Sequence, residues 1–213
     1  MSHSVRCSLA LAAALLAGCV SVQVGGDGAR HLRLVLQDAR PTMPARNAPV
    51  ASALQIQPLP ADPLADTQSI AYSRTPGVRE FYQLASWTEL PLRAIPRLLQ
   101  QRLETRGSFA AVAPLGQPID APWLLAVAVE SIYHDAQSGA GSARLTLRVE
   151  LIDRTKRRLA ARRTFSASAS LDQANSTEAA AAMGRALADI FDALVPWLEE
   201  QALQLAPDRA ARG

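Results

Sequence analysis

The side chain whose surroundings most clearly specify chemistry is the thiol of Cys19. It follows an apolar run from Leu9 to Leu16 and the two small residues Ala17 and Gly18. Small residues let the backbone lie in a narrow protease cleft, and a thiolate is nucleophilic enough to take a lipid. With Arg6 ahead of the apolar run, the order is that of a secretory signal, too short to span a bilayer. The sequence therefore predicts a cut before Cys19 and modification of its thiol.

Leu16-Ala17-Gly18-Cys19 resembles the lipobox of bacterial lipoproteins, where the cysteine receives a diacylglycerol and, after cleavage, a further acyl chain such as palmitate. Two or more acyl chains anchor a protein stably, at roughly 0.8 kcal/mol per buried methylene. The alternative is a plain signal peptide with a chance cysteine. We expect residues 1–18 to be the signal and residues 19–30 to be the lipidated cysteine with a flexible, glycine-containing tether. Val20 is not the aspartate associated with inner-membrane retention in enteric bacteria, so the outer membrane is favoured.

No other residues match a catalytic pattern. After cleavage the mature chain keeps two histidines, His31 and His134. Their positions match neither the spacing of metal ligands nor that of a Ser/His catalytic pair. We expect both to be polar rings at the surface, and we expect no enzymatic activity, no metal and no cofactor. The mature chain has 21 basic and 19 acidic residues, a net charge of +2, which does not predict binding of nucleic acid.

Two groups of residues are candidates for binding. One group consists of the aromatic residues Tyr72, Tyr82 and Trp87. They form either an aromatic docking patch for a partner or, as is more common for aromatic residues, part of the core. The basic run from Asp153 to Arg158, with Arg162 and Arg163, could meet anionic lipid headgroups or an acidic partner. A solvated hairpin turn is the favoured interpretation of that run.

These residues must be positioned by a globular region, for which 213 residues at 49% hydrophobic allow one ordinary domain. The first half begins with strand-like alternation, which is interrupted by a proline-containing loop and by a turn at Thr75-Pro76-Gly77. An apolar stripe with helical spacing then predicts a helix that begins at Pro91 and stops at Gly107. Thr88 is the predicted N-cap, and Pro96 predicts either a late start or a kink. The predicted strands in this half are His31 to Gln37, Ala53 to Gln57, Ser69 to Ser73 and Glu80 to Leu84.

The second half alternates more strongly. After a short strand, Phe109 to Ala113, and a loop, three long runs at hairpin spacing predict an antiparallel meander with one wet face: Trp123 to Tyr133, Ala143 to Asp153 and Arg158 to Ser168. A long amphipathic helix follows, capped by Asn175 and running to about Leu205, with Pro196 a predicted kink. We predict an α+β fold: a mainly antiparallel sheet with two helices packed on one face, as a single domain over residues 31–205 before a disordered tail at 206–213.

The order of elements and aromatic residues resembles a known family. It comprises the lipobox, Ile70-Ala71-Tyr72, Phe81-Tyr82, Trp87, the proline-led helix, Gly107-Ser108-Phe109 and the hairpin strands. Together they are similar to the ABC-type transport auxiliary lipoproteins, the small partners of Mce-type and paraquat-inducible-type systems, over roughly Leu32 to Glu199. The resemblance implies a periplasm-facing lipoprotein that works with an ABC ATPase, a permease and a Mce-domain substrate-binding protein to move lipids or other apolar compounds across the envelope. An outer-membrane assembly lipoprotein of the lipopolysaccharide-assembly or Tol type is the alternative.

Overall fold

A computed structural model describes residues 30–205 of the chain. The predicted signal peptide, Cys19, the tether up to residue 29 and the tail at 206–213 lie outside the described residues. Within residues 30–205, no helix is both long and apolar enough to cross a bilayer.

The elements follow the predicted order, with strands generally longer than the sequence pattern suggested. The strands are β1 (Leu32–Leu34), β2 (Ala51–Leu59), β3 (Ser69–Ser73), β4 (Glu80–Trp87), β5 (Phe109–Pro114), β6 (Trp123–Asp135), β7 (Ser142–Asp153) and β8 (Arg158–Ser170). The helices are α1 (Pro91–Arg106) and α2 (Ser176–Leu205), and a short 3-10 turn spans Pro63–Asp66.

The sheet is mixed, which corrects the prediction of a mainly antiparallel one. Its strands lie in the order β1-β4-β3-β6-β2-β5, with β7 on the other side of β6 and β8 beyond β7. The β3–β4, β6–β7 and β7–β8 pairs are antiparallel, whereas β1–β4, β2–β5, β2–β6 and β3–β6 are parallel. The prediction was wrong because alternation identifies a strand and its buried face but not its partner across a crossover.

Both helices pack on one face of the sheet, as predicted. Helix α1 contacts β2 and β5, helix α2 contacts β7 and β8, and the two share a single apolar core with β6. The predicted wet face is also present, because every second residue of β7 is buried while Arg144, Thr146, Arg148 and Glu150 stay at least partly exposed.

Two of the three helix caps predicted from the sequence are present in the structure. Gly107 ends α1 in the left-handed conformation at φ 70°, and Asn175 Oδ1 accepts the backbone N–H of Glu178 at 2.9 Å, so these two predictions are confirmed. Thr88 is not the N-cap: α1 begins at Pro91 after Leu90, which caps it with no side-chain bond. The helix then continues through Pro96, whose missing N–H does not end it.

Residues 36–46, which we call the strap, cross the two helices between β1 and β2. Arg102 of α1 is fully buried and donates to both oxygens of Asp38, at 2.7 and 2.6 Å, and to Asp192 of α2 at 2.6 Å. Burial acts to lower the pKa of Arg102, but the bonds to Asp38 and Asp192 outweigh it and raise that pKa above its ordinary value. Gly184 lets the strap lie against α2, since a Cβ there would stand 2.7 Å from the Gln37 carbonyl oxygen.

A second buried acid fastens the end of the strap. Glu199 of α2 accepts from Arg106 at 3.1 Å, from the Ser108 hydroxyl at 2.7 Å and from Arg46 at 3.1 Å. Burial acts to raise the pKa of Glu199, but the bonds from Arg106 and Ser108 and the charge of Arg46 lower it below its ordinary value. The strap is thus held to both helices at two separate ion-paired clusters.

Candidate functional site

Three aromatic side chains meet where β3 and β6 end and β4 begins. The parallel register pairs Tyr72 with His134, and the antiparallel register pairs Tyr72 with Glu80, which brings Tyr82 alongside. The rings of Tyr72 and Tyr82 are 5.0 Å apart between centroids, a distance typical of a favourable tilted pair. Tyr72, Tyr82 and His134 form what we call the aromatic cluster.

His134 is buried and both of its ring nitrogens are engaged. Its Nε2 lies 2.8 Å from the carbonyl oxygen of Ala140, and its Nδ1 lies 2.7 Å from the hydroxyl of Tyr82. A carbonyl oxygen only accepts, so Nε2 carries the hydrogen, and in the neutral ring Nδ1 then accepts from Tyr82. The prediction that His134 is a surface ring was wrong.

Two local features explain the burial of His134. The register of β6 against β7 shifts between Val129 and Ser131, so that Ile132 and His134 continue on the helix-facing side. The β6–β7 connection then folds back over the ring, and Gly141 makes this possible at φ 80°, since a Cβ there would stand 2.6 Å from His134 Nε2. The sequence shows this shift only as two consecutive polar residues, Glu130 and Ser131, after which the apolar alternation changes phase.

Two arginines lie over aromatic rings at this end of the sheet, one of them over a ring of the cluster. Arg74 lies 4.8 Å from the ring centroid of Tyr72, and Arg79 lies 3.8 Å from that of Tyr133 on the adjoining strand. Burial and the neighbouring Tyr72 raise the pKa of Tyr82, which Arg74 only partly offsets. Tyr82 is therefore an uncharged hydrogen-bond donor at neutral pH.

Beside the cluster, the first part of β4 presents an open edge. Strand β1 pairs only with residues 85–87, so residues 80–84 have no strand on that side within the described chain. Phe81 and Leu84 lie on this stretch with 38% and 51% of their surfaces exposed. An open strand with exposed apolar side chains is a surface that favours pairing with another chain. We call Glu80 to Leu84 the β4 edge.

The structure separates the three aromatic residues proposed as a docking patch. Tyr72 and Tyr82 lie together and half-buried, whereas Trp87 is buried in the core. His31 is exposed, with Nε2 2.9 Å from the Ser86 hydroxyl. The exposure of Phe81 and Leu84 could not be predicted from the sequence, because a strand pattern does not say which edge of a sheet stays uncovered.

The basic run lies at the β7–β8 connection, as predicted. Arg162 pairs with Glu150 at 3.0 Å, and Arg154 Nη1 donates to Gln55 Oε1 at 2.5 Å and to the Ala121 carbonyl at 3.2 Å. Arg157 and Arg158 are exposed and form no ion pair with a described carboxylate. Part of the run is therefore committed to the fold and part is free to meet another molecule.

Within the described residues, the aromatic cluster offers neither a metal site nor a free imidazole nitrogen. No group of three or more His, Cys, Asp or Glu residues in the range 30–205 could hold a metal ion. The histidine of the aromatic cluster has no free nitrogen to act as a base, because Tyr82 and the Ala140 carbonyl occupy both. The fold and this site define an α+β domain whose distinguishing surfaces are an aromatic cluster and an apolar strand edge.

The family follows from comparison with known proteins. The model of the ABC-type transport auxiliary lipoprotein component family matches residues 34–195, which is most of the described chain. The chain belongs to this family, as the sequence resemblance predicted, and it is an auxiliary lipoprotein of ABC-type transport. No curated protein matches the chain.

Solved structures share the fold. A protein from Xanthomonas campestris is 22% identical with a TM-score of 0.69, covering 83% of this chain and 97% of its own. An uncharacterized protein is 14% identical with a TM-score of 0.58, covering 78% and 99%.

Proposed function

We propose that this chain is a non-enzymatic auxiliary component of a Mce- or Pqi-like transport system that moves lipids or other apolar solutes across the bacterial envelope. Lipid on Cys19 anchors it, facing the periplasm, with the outer membrane favoured. Its partners are the Mce-domain substrate-binding protein, the permease and the ATPase of the same system. The observation that carries the proposal is the family match over residues 34–195, joined to a domain with an open strand edge that carries exposed apolar side chains.

The docking surface in this proposal is the β4 edge together with Tyr72 and Tyr82. Backbone groups on an open strand give affinity to a partner's strand, and exposed apolar side chains beside it give specificity. Phe81 and Leu84 meet this description, and the aromatic cluster holds the start of β4 rigidly next to the end of β6. The Mce-domain protein is the occupant that we assign to this surface. The anchor then acts by raising the local concentration of the two partners at one membrane.

The test is a pull-down of the lipoprotein from gently solubilised envelopes, with mass spectrometry of the proteins recovered. Leu84→Asp places a charge on the docking surface, and Leu203→Asp is the matched control, because Leu203 is a similarly exposed leucine on α2. We expect recovery of a Mce-domain protein with the unmodified chain and with Leu203→Asp. We expect its loss with Leu84→Asp.

Cys19→Ala separates the anchor from the docking surface. Recovery of the Mce-domain protein should weaken but not vanish with this variant, since only the gain in local concentration is lost. Recovery of a β-barrel or Tol component alone would overturn the proposal and assign the protein to envelope assembly. Equal recovery with Leu84→Asp and Leu203→Asp would leave the transport role standing but remove the β4 edge from it.

A further inference from the structure

One end of the sheet combines unpaired positive charge with exposed apolar side chains. The β7–β8 turn and the loop between β5 and β6 meet there, because Trp123 at the start of β6 pairs with Asp153 at the end of β7. They flank an open groove of about 710 Å³ that is lined by both apolar and charged side chains, among them Ile119, Pro122, Ile152, Asp120, Arg154 and Arg157. We call this region, with Arg158 and Leu159, the basic end.

The positive charge of the chain is concentrated here. Residues 153–163 carry six basic side chains and one acidic side chain, a net charge of +5, whereas the whole chain carries +3, so the remainder is net negative. The buried Asp153 accepts the backbone N–H groups of Thr155 and Lys156, and Asp120 is the acidic residue on the groove. Arg157, held in the left-handed region at φ 50°, is exposed, as is Arg158.

An exposed leucine lies directly beside these cations, since Leu159 follows Arg158 at the start of β8 and is 44% exposed. Leu115, which is 43% exposed, begins the β5–β6 loop whose later residues line the groove. An acidic protein segment would match the arginines but not the leucines. A bilayer matches both, because its phosphates attract basic side chains while its headgroup and acyl boundary receives apolar ones.

The segment between Cys19 and β1 is long enough for a lipid on Cys19 and the basic end to contact the same bilayer. Strand β1 lies beside the half of the sheet near His134, and the basic end lies near Trp123, about ten residues or roughly 33 Å away along β6. Residues 19–30 span at most about 40 Å when fully extended. A lipid on Cys19 and the basic end can therefore reach the same membrane surface.

We propose that the basic end is a second membrane contact, which docks the domain onto a bilayer containing anionic phospholipids. Arg157 and Arg158 meet the phosphates, and Leu159 enters the headgroup boundary. The contact relies on the proposed anchor at Cys19 only for proximity, which makes a weak surface interaction effective. It fixes which side of the domain faces the membrane and leaves the β4 edge, at the other end of the sheet, accessible to a partner.

The test uses the lipidated full chain reconstituted into vesicles. Since the mature sequence retains only Cys19, which is acylated, Leu159→Cys supplies a single free thiol for an environment-sensitive fluorophore. Leu203→Cys on α2 is the control label. The vesicles are phosphatidylcholine alone, or three parts phosphatidylcholine to one part phosphatidylglycerol. We expect the label at position 159 to shift to shorter wavelength only in the anionic vesicles, and the label at 203 to stay unchanged.

Charge variants identify the groups responsible. Arg157→Glu with Arg158→Glu should lower the ratio of docked to free domain by at least about thirty-fold, since each basic residue lost near an anionic surface costs roughly fivefold and the two added carboxylates are repelled as well. Arg33→Glu with Arg74→Glu reverses the same charge at the other end of the sheet and should leave the shift intact. Raised salt should remove it by screening.

The outcomes separate this proposal from the anchor. If the chain co-floats with both kinds of vesicle and the emission wavelength of the label at 159 is the same in each, the chain is anchored but not docked. This result overturns the second contact. An equal loss in both double variants also overturns it, because net charge would then be the cause. A chain that floats only with anionic vesicles supports the contact and refutes the anchor, and a chain that floats with neither refutes both.

Discussion

Removing Arg102, the buried arginine of α1 that holds the strap, should cost a large share of the stability of the domain. Arg102 is 0% exposed and its main partner Asp38 is 3% exposed, so Arg102→Met leaves a nearly dry carboxylate without its cation. Breaking a buried pair in this way costs about 3–5 kcal/mol, against a typical total of about 5–15 kcal/mol. Asp192 is 42% exposed, so water compensates it and adds little to this loss.

Urea unfolding followed by tryptophan fluorescence measures the loss, because Trp87 and Trp123 are buried in the native state. The midpoint should fall with little change in slope. Arg40→Ala is the matched control: it removes an arginine ion-paired to Asp189 and Asp192, but all three side chains are about half exposed, so it should cost less than about 1 kcal/mol.

Restoring neutrality should recover most of the stability. Arg102→Met combined with Asp38→Leu removes the orphaned charge, and apolar replacements of buried ion pairs are often neutral. If Arg102→Met costs no more than Arg40→Ala, or if Asp38→Leu fails to recover any of its cost, then the cluster at Arg102 is not what holds the strap.

Three further predictions use the same unfolding assay. Gly184→Ala should cost about 1–3 kcal/mol, because its Cβ would stand 2.7 Å from the Gln37 carbonyl and push the strap away, and limited proteolysis should then cut residues 36–46 faster. The lowered pKa of Glu199 stabilises the folded state at pH values above 4.5, the ordinary pKa of a glutamate, and this stabilisation is lost as the pH falls through the lower pKa of the folded state. Glu199→Gln should therefore make the free energy of unfolding less dependent on pH in acid. Tyr82→Phe removes the donor to Nδ1 of buried His134 and should cost about 1–3 kcal/mol, whereas Tyr72→Phe, whose hydroxyl has no bond to a described residue, should be near neutral.

The sequence predicted the long hairpins best. The three runs that alternate over ten or more residues match β6, β7 and β8 to within two residues at each end, and in β6 and β7 the alternation follows a continuously buried face. The cap at Asn175 and the stop at Gly107 were equally readable, since each depends on the chemistry of one residue. Strand β1 was overestimated: three leucines alternate, but pairing stops at Leu34 and the chain leaves the sheet to become the strap.

The site was harder to predict because it depends on long-range pairing. Tyr72 and Tyr82 were identified as candidates, but their common partner His134 was expected at the surface, and only the register shift in β6 places it inside. Trp87 turned out to follow the commoner behaviour of aromatic residues and is buried in the core. No sequence pattern states that β1 covers only the last three residues of β4, which is what leaves Phe81 and Leu84 exposed.

The strap also decides how the domain resists a mechanical load. A pull on the amino-terminal end of the chain first meets β1, whose three paired residues resist little. The force then reaches Asp38, where separation requires both bonds of a bidentate ion pair to break together in a site closed to water. The two ion-paired clusters thus limit unravelling from this end: once β1 has separated from β4, the load passes to α1 and α2 at Arg102, Asp192 and Glu199 before it can reach β2.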